Sequence, residues 1–311
     1  MKMIYISICL MLVSEFASSQ WTAQTSGTTR LLMSVCFMDV NNGYAVGVLG
    51  TIIKTTDGGT NWFAQTSGTS VVLYSVCFTD ANTGYVVGEK GTVLKTTNSG
   101  TNWNVQTSGT TQILDYVYFP SASIGYAVGN NETIIKTTNS GVNWTIQHSD
   151  TANWLASVYF TDINTGYTVG GNFPAFNCII LKTTNGGLNW VSQTSGTIKY
   201  LSSVYFTDAN TGYATGANGV ILKTTNGGLN WAIQTSGTNN TLGGIWFTDA
   251  NTGYAIGTSG VILKTTNGGS SWAIQTSGTN NTLVGVWFTD ANTGYATGDN
   301  GFILKTTNGG D

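Results

Sequence analysis

The stretch "GVILKTTNGGSSWAIQTSGT", residues 260 to 279, decides the reading of this chain because it is written again and again. A close variant, "GTIIKTTDGGTNWFAQTSGT", occupies residues 50 to 69, and "GFILKTTNGG" stands at residues 301 to 310. Counted on its tryptophan, the phrase returns at Trp21, Trp62, Trp103, Trp144, Trp190, Trp231 and Trp272, with separations of 41, 41, 41, 46, 41 and 41 residues. A period near 41 belongs to propeller blades and helical solenoids, and the local pattern chooses between them. Short β-branched and aromatic runs alternate with Gly, Asn, Asp and Thr turns, and no 3.6-residue apolar period is present. The expectation is an all-β chain with four strands per unit.

Around the quoted phrase the unit reads W-x-x-Q-T-S-G-T, a short variable stretch, L-x-x-V-x-F-T-D-A-N-T-G-Y-A-x-G, a second variable stretch, then G-x-I-L-K-T-T-N-G-G. In "TDANTGY" the Asp can bond its own backbone, while Asn and Gly tolerate the conformations of a tight hairpin. In "TTNGGxNW" Asn or Asp does the same before the Trp opens a strand. This second motif resembles the Asp-box of BNR-repeat, sialidase-like propellers: Thr55, Asp57, Gly59 and Trp62 fit it, as do Thr96, Asn98, Gly100 and Trp103, and Thr224, Asn226, Gly228 and Trp231. The structural box positions are Asp57, Asn98, Asn139, Asn185, Asn226, Asn267 and Asn308, so the Asp is kept once. With "NTGYAxG" included, residues 20 to 311 look like the photosystem II stability/assembly factor-like repeat proteins, a family of seven-bladed propellers. The resemblance implies a seven-bladed ring of four-stranded antiparallel blades, in which the box is a structural hairpin between the third and fourth strands.

The ends argue for closure. Residue 21 begins a Trp strand with no box before it, and the chain stops at a box with no Trp strand after it. If residues 21 to 27 supply the fourth strand of the last blade, seven blades close with no open edge.

Residues 1–19 read as an export signal: Lys2, an apolar run from Met3 to Val13, then Ala17, Ser18 and Ser19 at cleavage spacing. The run is too short to span a bilayer, and the alternative is a buried first strand. Export places residues 20–311, one domain, in an extracellular or periplasmic setting of a bacterium. Cys36 and Cys77 sit where other units carry Tyr118, Tyr159, Tyr205, Trp246 and Trp287, which marks a packing slot rather than half of a disulfide.

Only 8% of residues are charged, the net charge is -3, and Arg30 is the single arginine. That argues against a phosphate-tracking surface and so against nucleic acid. Lys54, Lys95, Lys136, Lys182, Lys223, Lys264 and Lys305 hold one repeated place and read as solvated lysines on strand ends. "DANTG" offers half of a calcium loop without the closing carboxylate. His148 is the only histidine, with no cysteine beside it for zinc and no nucleophile elbow for a triad. The arginine triad with which sialidases hold their substrate's carboxylate has no counterpart. No metal, cofactor or catalytic residue is expected.

What all units share serves the blade, so the odd positions carry the functional reading. These fall in the loops joining strand four to the next blade and strands two to three, which share one face of a propeller. In the fourth unit "GGNFPAFNC" holds the five-residue insertion with Phe173, Pro174 and Phe176. The loop before it writes "HSDT" for "TSGT", with His148 and Asp150, and adds Trp154. Glu132 lies in the preceding unit, and Lys199 and Tyr200 in the following one. This set is the composition of a recognition patch, or else of aromatics packing on their own loop. The leading expectation is a non-catalytic, monomeric exported propeller that scaffolds a protein or carbohydrate partner. The family resemblance implies a second, a photosystem II assembly factor, although the lone Arg30 departs from the basic face of photosynthetic members. A glycoside hydrolase of sialidase-like fold is the third.

Overall fold

A computed structural model describes residues 20–148, 153–172 and 177–311. Asp150, Phe173, Pro174 and Phe176, like the export segment 1–19, lie outside the described residues. Seven antiparallel sheets of four strands are formed. Blade one, for example, consists of Leu32–Phe37, Gly43–Gly47, Thr51–Thr55 and Phe63–Gln65 in sequential order. Blade two spans residues 73–106, blade three 114–148, blade four 154–192, blade five 201–234 and blade six 242–275. The first strands of successive blades touch in a closed circle, the last also meeting the first, so they surround the axis.

Blade seven holds Leu283–Phe288, Gly294–Gly298 and Ile303–Thr306, and its outer strand is Thr22–Gln24 from the other end of the chain. Thr22 pairs with Lys305, Ala23 with Leu304 and Gln24 with Ile303. The strand predicted to close the ring does so.

Each seam between blades uses the same three aromatic rings. Tyr44 of blade one stacks on Phe78 of blade two at 4.3 Å, and Trp103 meets both edge-on. The circle ends with Tyr254, Phe288 and Trp21, then Tyr295, Phe37 and Trp62. The seven seam tyrosines are fully buried. A blade alone would expose these rings to water, and a neighbour on each side covers them.

The box hairpins show why asparagine replaces aspartate freely. Thr55 Oγ1 donates to Asp57 Oδ1 at 2.9 Å, and that oxygen also accepts the Asn61 N–H. In blade two Asn98 Oδ1 accepts the same pair, from Thr96 and Asn102. One acceptor oxygen serves the turn, and an amide carbonyl supplies it.

The seven lysines correct the expectation of solvated strand ends. Lys54 Nζ donates to the Ser99 carbonyl in the box of the next blade at 2.9 Å, and the Tyr44 hydroxyl donates to the same oxygen. Lys182 and Tyr167 share the Gly227 carbonyl in the same way, and Lys305 and Tyr295 share that of Gly58 across the closure. Lys264 pairs instead with Asp311, while Tyr254 takes the Gly309 carbonyl. Each ammonium lies within 6 Å of the ring centre of its blade's seam tyrosine. The lysine persists where the DANTG aspartate is lost, at Ser121, because its partner is a backbone carbonyl.

Candidate functional site

The residue after the leucine of each first strand bulges out of its ladder, as the shift between Leu114 and Tyr116 shows in blade three. This bulge is possible because a glycine faces it on strand two: a Cβ on Gly129 would lie 1.9 Å from the Ile113 carbonyl oxygen. The bulged residues are Met33, Tyr74, Asp115, Ala156, Ser202, Gly243 and Val284, seven different residues in seven otherwise similar blades. All line a cavity of about 480 Å³ at the ring's centre. The reading by loops missed this ring. The two unspecified positions after the leucine of L-x-x-V-x-F were its signal.

Asp115 is buried there and accepts the indole N–H of Trp154 from blade four. Burial pushes its carboxyl up to about 8 against the smaller opposing pull of that hydrogen bond. Trp154 belongs to a strand rather than to the loop expected of it. The insertion in blade four lengthens the hairpin to Gly166–Asn172 and Asn177–Thr183, which gives Trp154 a ladder partner in Gly171. Its ring lies 6.4 Å from that of Tyr200, also at the cavity.

A second group adjoins. Glu132 stands where five other blades have Gly50, Gly91, Gly219, Gly260 and Gly301, and at those glycines a Cβ would come within about 2 Å of a threonine carbonyl in the next loop. That next loop is the one that abandons "TSGT". The Glu132 carboxylate is buried, with His148 Nε2 at 3.2 Å and Asn153 Nδ2 donating to its other oxygen. Asn177 Nδ2 in turn donates to Asn153 Oδ1 at 2.8 Å. Of the expected set, the structure therefore brings Glu132 to His148 and Trp154 to Tyr200. Lys199 is half-buried beside Tyr200 and does not line the cavity.

The linkage at Asp115 has a definite sign. Its folded pKa exceeds the unfolded value of 3.8, so folding takes up a proton and stability falls as pH rises from about 4 to about 8. Asp115→Asn, which keeps an acceptor for Trp154, is expected to melt with the wild type at pH 4 and to exceed it by roughly 2 to 4 kcal/mol at pH 8. Coincident melts at pH 8 would mean that the carboxyl is solvated.

The sequence profile described as "Photosynthesis system II assembly factor YCF48" matches residues 13–106, 61–146, 142–234, 189–275 and 229–311. The chain belongs to this family. No curated protein matches it. Among solved structures, "YCF48 bound to D1 peptide" superposes with a TM-score of 0.79 at 20% identity, covering 94% of this chain and 96% of that one. YCF48 from Cyanidioschyzon merolae gives 0.77 at 20%, covering 92% and 98%. The GH74 enzyme of Niastella koreensis gives 0.74 at 16%, covering 92% of this chain but 53% of the enzyme. These likenesses show the propeller. The family membership places the chain with YCF48 and so favours the assembly-factor reading over a general scaffold. Among the described residues no helix is long and apolar enough to cross a membrane.

Proposed function

We propose that this YCF48-family propeller is a non-catalytic binding protein that holds a segment of a partner protein during its assembly, acting after export. The observation that carries the reading is where the seven blades diverge. Their seams and hairpins repeat, while Glu132, His148, Trp154, Asp115 and Tyr200 break the pattern on three consecutive blades at one end of the ring. A structure of the same family holds a D1 peptide, which makes a peptide the natural class of ligand. Trp154, partly exposed beside buried polar groups, has the character of an interface anchor.

The test is fluorescence anisotropy with labelled D1 peptide and with an array of peptides tiling membrane-protein termini. Wild-type protein is expected to bind at least one of them, and Trp154→Ala to bind it at least tenfold more weakly with little change in melting temperature. Equal binding by Trp154→Ala moves the contact elsewhere on the ring. Failure of every peptide overturns the reading.

A further inference from the structure

We propose that the central cavity is a binding site for an organic ammonium group, held by the Asp115 carboxylate and by the wall of aromatic rings three residues further along the first strands.

The wall is continuous over five blades. Tyr118, Tyr159, Tyr205, Trp246 and Trp287 follow one another with ring centres 5.1, 5.1, 5.3 and 4.3 Å apart, each tilted against the next. The Tyr118 hydroxyl donates to the Phe160 carbonyl and that of Tyr205 to the Phe247 carbonyl, so these hydroxyls are tied to the next blade. What the wall offers a ligand is ring surface. Electron-rich faces attract cations, and more strongly where water is displaced.

Charge points the same way. Among the described residues lining the cavity there is no Lys, Arg or His, and Asp115 is the one acidic residue. The ring lysines are spent on box carbonyls at the seams, and Arg30 is turned to the Leu49 carbonyl and Thr51. Among the described residues, ionised Asp115 therefore meets no counter-charge, and its one hydrogen-bond donor is Trp154, on a single oxygen. A buried carboxylate in that state is costly and gains most from a cation brought by a ligand. A neutral or anionic ligand supplies no such partner. The groups that meet Asp115 are Trp154 from blade four, which donates to it, and Tyr74 from blade two and Tyr200 from blade five, which feel its charge; both tyrosines stay protonated, burial raising them to about 12, and Glu89 of blade two acts on Tyr74. The cavity's volume is within the range of small-ligand sites, ample for an alkyl stem under the ammonium.

Because burial holds Asp115 protonated near neutral pH, taking up a cation must release that proton. Affinity then falls about tenfold per pH unit below the carboxyl's own value, or about 100-fold between pH 9 and pH 6.

The experiment titrates the whole protein with n-hexylammonium, n-hexanol and hexanoate, read by calorimetry and by the fluorescence of the cavity tryptophans. Hexylammonium is expected to bind at least tenfold tighter than hexanol at pH 8, hexanoate more weakly than either, and the ammonium alone to show the pH dependence. Asp115→Asn should bind hexanol as before and lose both the preference for the cation and the pH dependence. A blocked Gly-Gly-Lys-Gly-Gly peptide forms the second arm: tighter binding than hexylammonium identifies the cation as a partner's lysine, and weaker binding identifies a free amine. Equal binding of hexanol and hexylammonium by the wild type overturns the proposal, as does a cation preference that survives in Asp115→Asn. The outcome is independent of whether any D1 peptide binds.

Discussion

Trp21→Ala is expected to cost about 3–5 kcal/mol and to lower the melting temperature by roughly 8–15 °C, the largest loss from any single side chain outside the hairpins. Trp21 is 1% exposed and meets the edges of Tyr254 and Phe288, so its removal opens a hole in a seam. Its place in the chain adds to the effect. Every other outer strand follows its hairpin by a few residues, whereas Thr22–Gln24 reaches Ile303–Thr306 from the opposite end of the sequence. Three residue pairs, the bond from the Thr22 hydroxyl to the Lys305 carbonyl, the bond from the Thr276 N–H to the Gln20 side chain and this indole hold it there. Losing the anchor frees the strand, bares the edge at Ile303–Thr306 and exposes one side of blade seven. Removing residues 20–27 should go further, giving a broad, non-cooperative melt and aggregation. Trp62→Ala makes the same hole between Phe37 and its neighbours but leaves its strand tethered by its own hairpin, and should lose less. Thermal melts of the three variants decide it. A truncated protein that melts like the wild type would show that the ring does not depend on its borrowed strand.

The ring was legible because its physics is repeated. A Trp every 41 residues but for one gap of 46, a box turn at every unit and the complementary ends all encode one packing solution, and each copy corroborates the others. The lysines were misread for a related reason. For six of the seven the partner is a main-chain carbonyl of the next blade, and a backbone acceptor leaves no covarying residue in the sequence. At the site the outcome is mixed. Glu132, His148, Trp154 and Tyr200 stood out as departures from the consensus, and the structure joins them in two neighbouring groups. Asp115 did not stand out, because the search for divergence was confined to loops. A strand position that faces a cavity is free of the packing that holds Leu114 and Val117 constant, so it varies as a loop does. The contrast between Tyr74, Asp115 and Gly243 at one register position is that freedom written in sequence.

Gly129→Ala should couple the two halves of this picture. The glycine is paired with Leu114, beside the bulge that carries Asp115. An added Cβ would stand 1.9 Å from the Ile113 carbonyl oxygen, 2.8 Å from its carbon and 2.9 Å from the Leu114 Cα. All three are backbone atoms, so no side chain can swing aside. The strand must move by an ångström or more, which places the cost at the upper end of overpacking, about 3 kcal/mol or above, with a fall in melting temperature of roughly 6 °C or more. The displaced segment runs directly into Asp115, so the bond to Trp154 is expected to break and the tryptophan emission to shift red as the indole gains solvent. Any cation preference of the cavity should fall with it. Gly243→Ala is the matched control, because Gly243 occupies the bulge position itself, in blade six. A Cβ there meets nothing nearer than 3.5 Å, in ordinary van der Waals contact, and points to the cavity's side of the strand. That variant should be neutral or gain up to about 1 kcal/mol from a stiffer unfolded chain. Two substitutions of the same chemistry, one on each side of equivalent ladders, thus have opposite expected signs. Similar losses from both would mean that the bulge is not what the strand-two glycine is for.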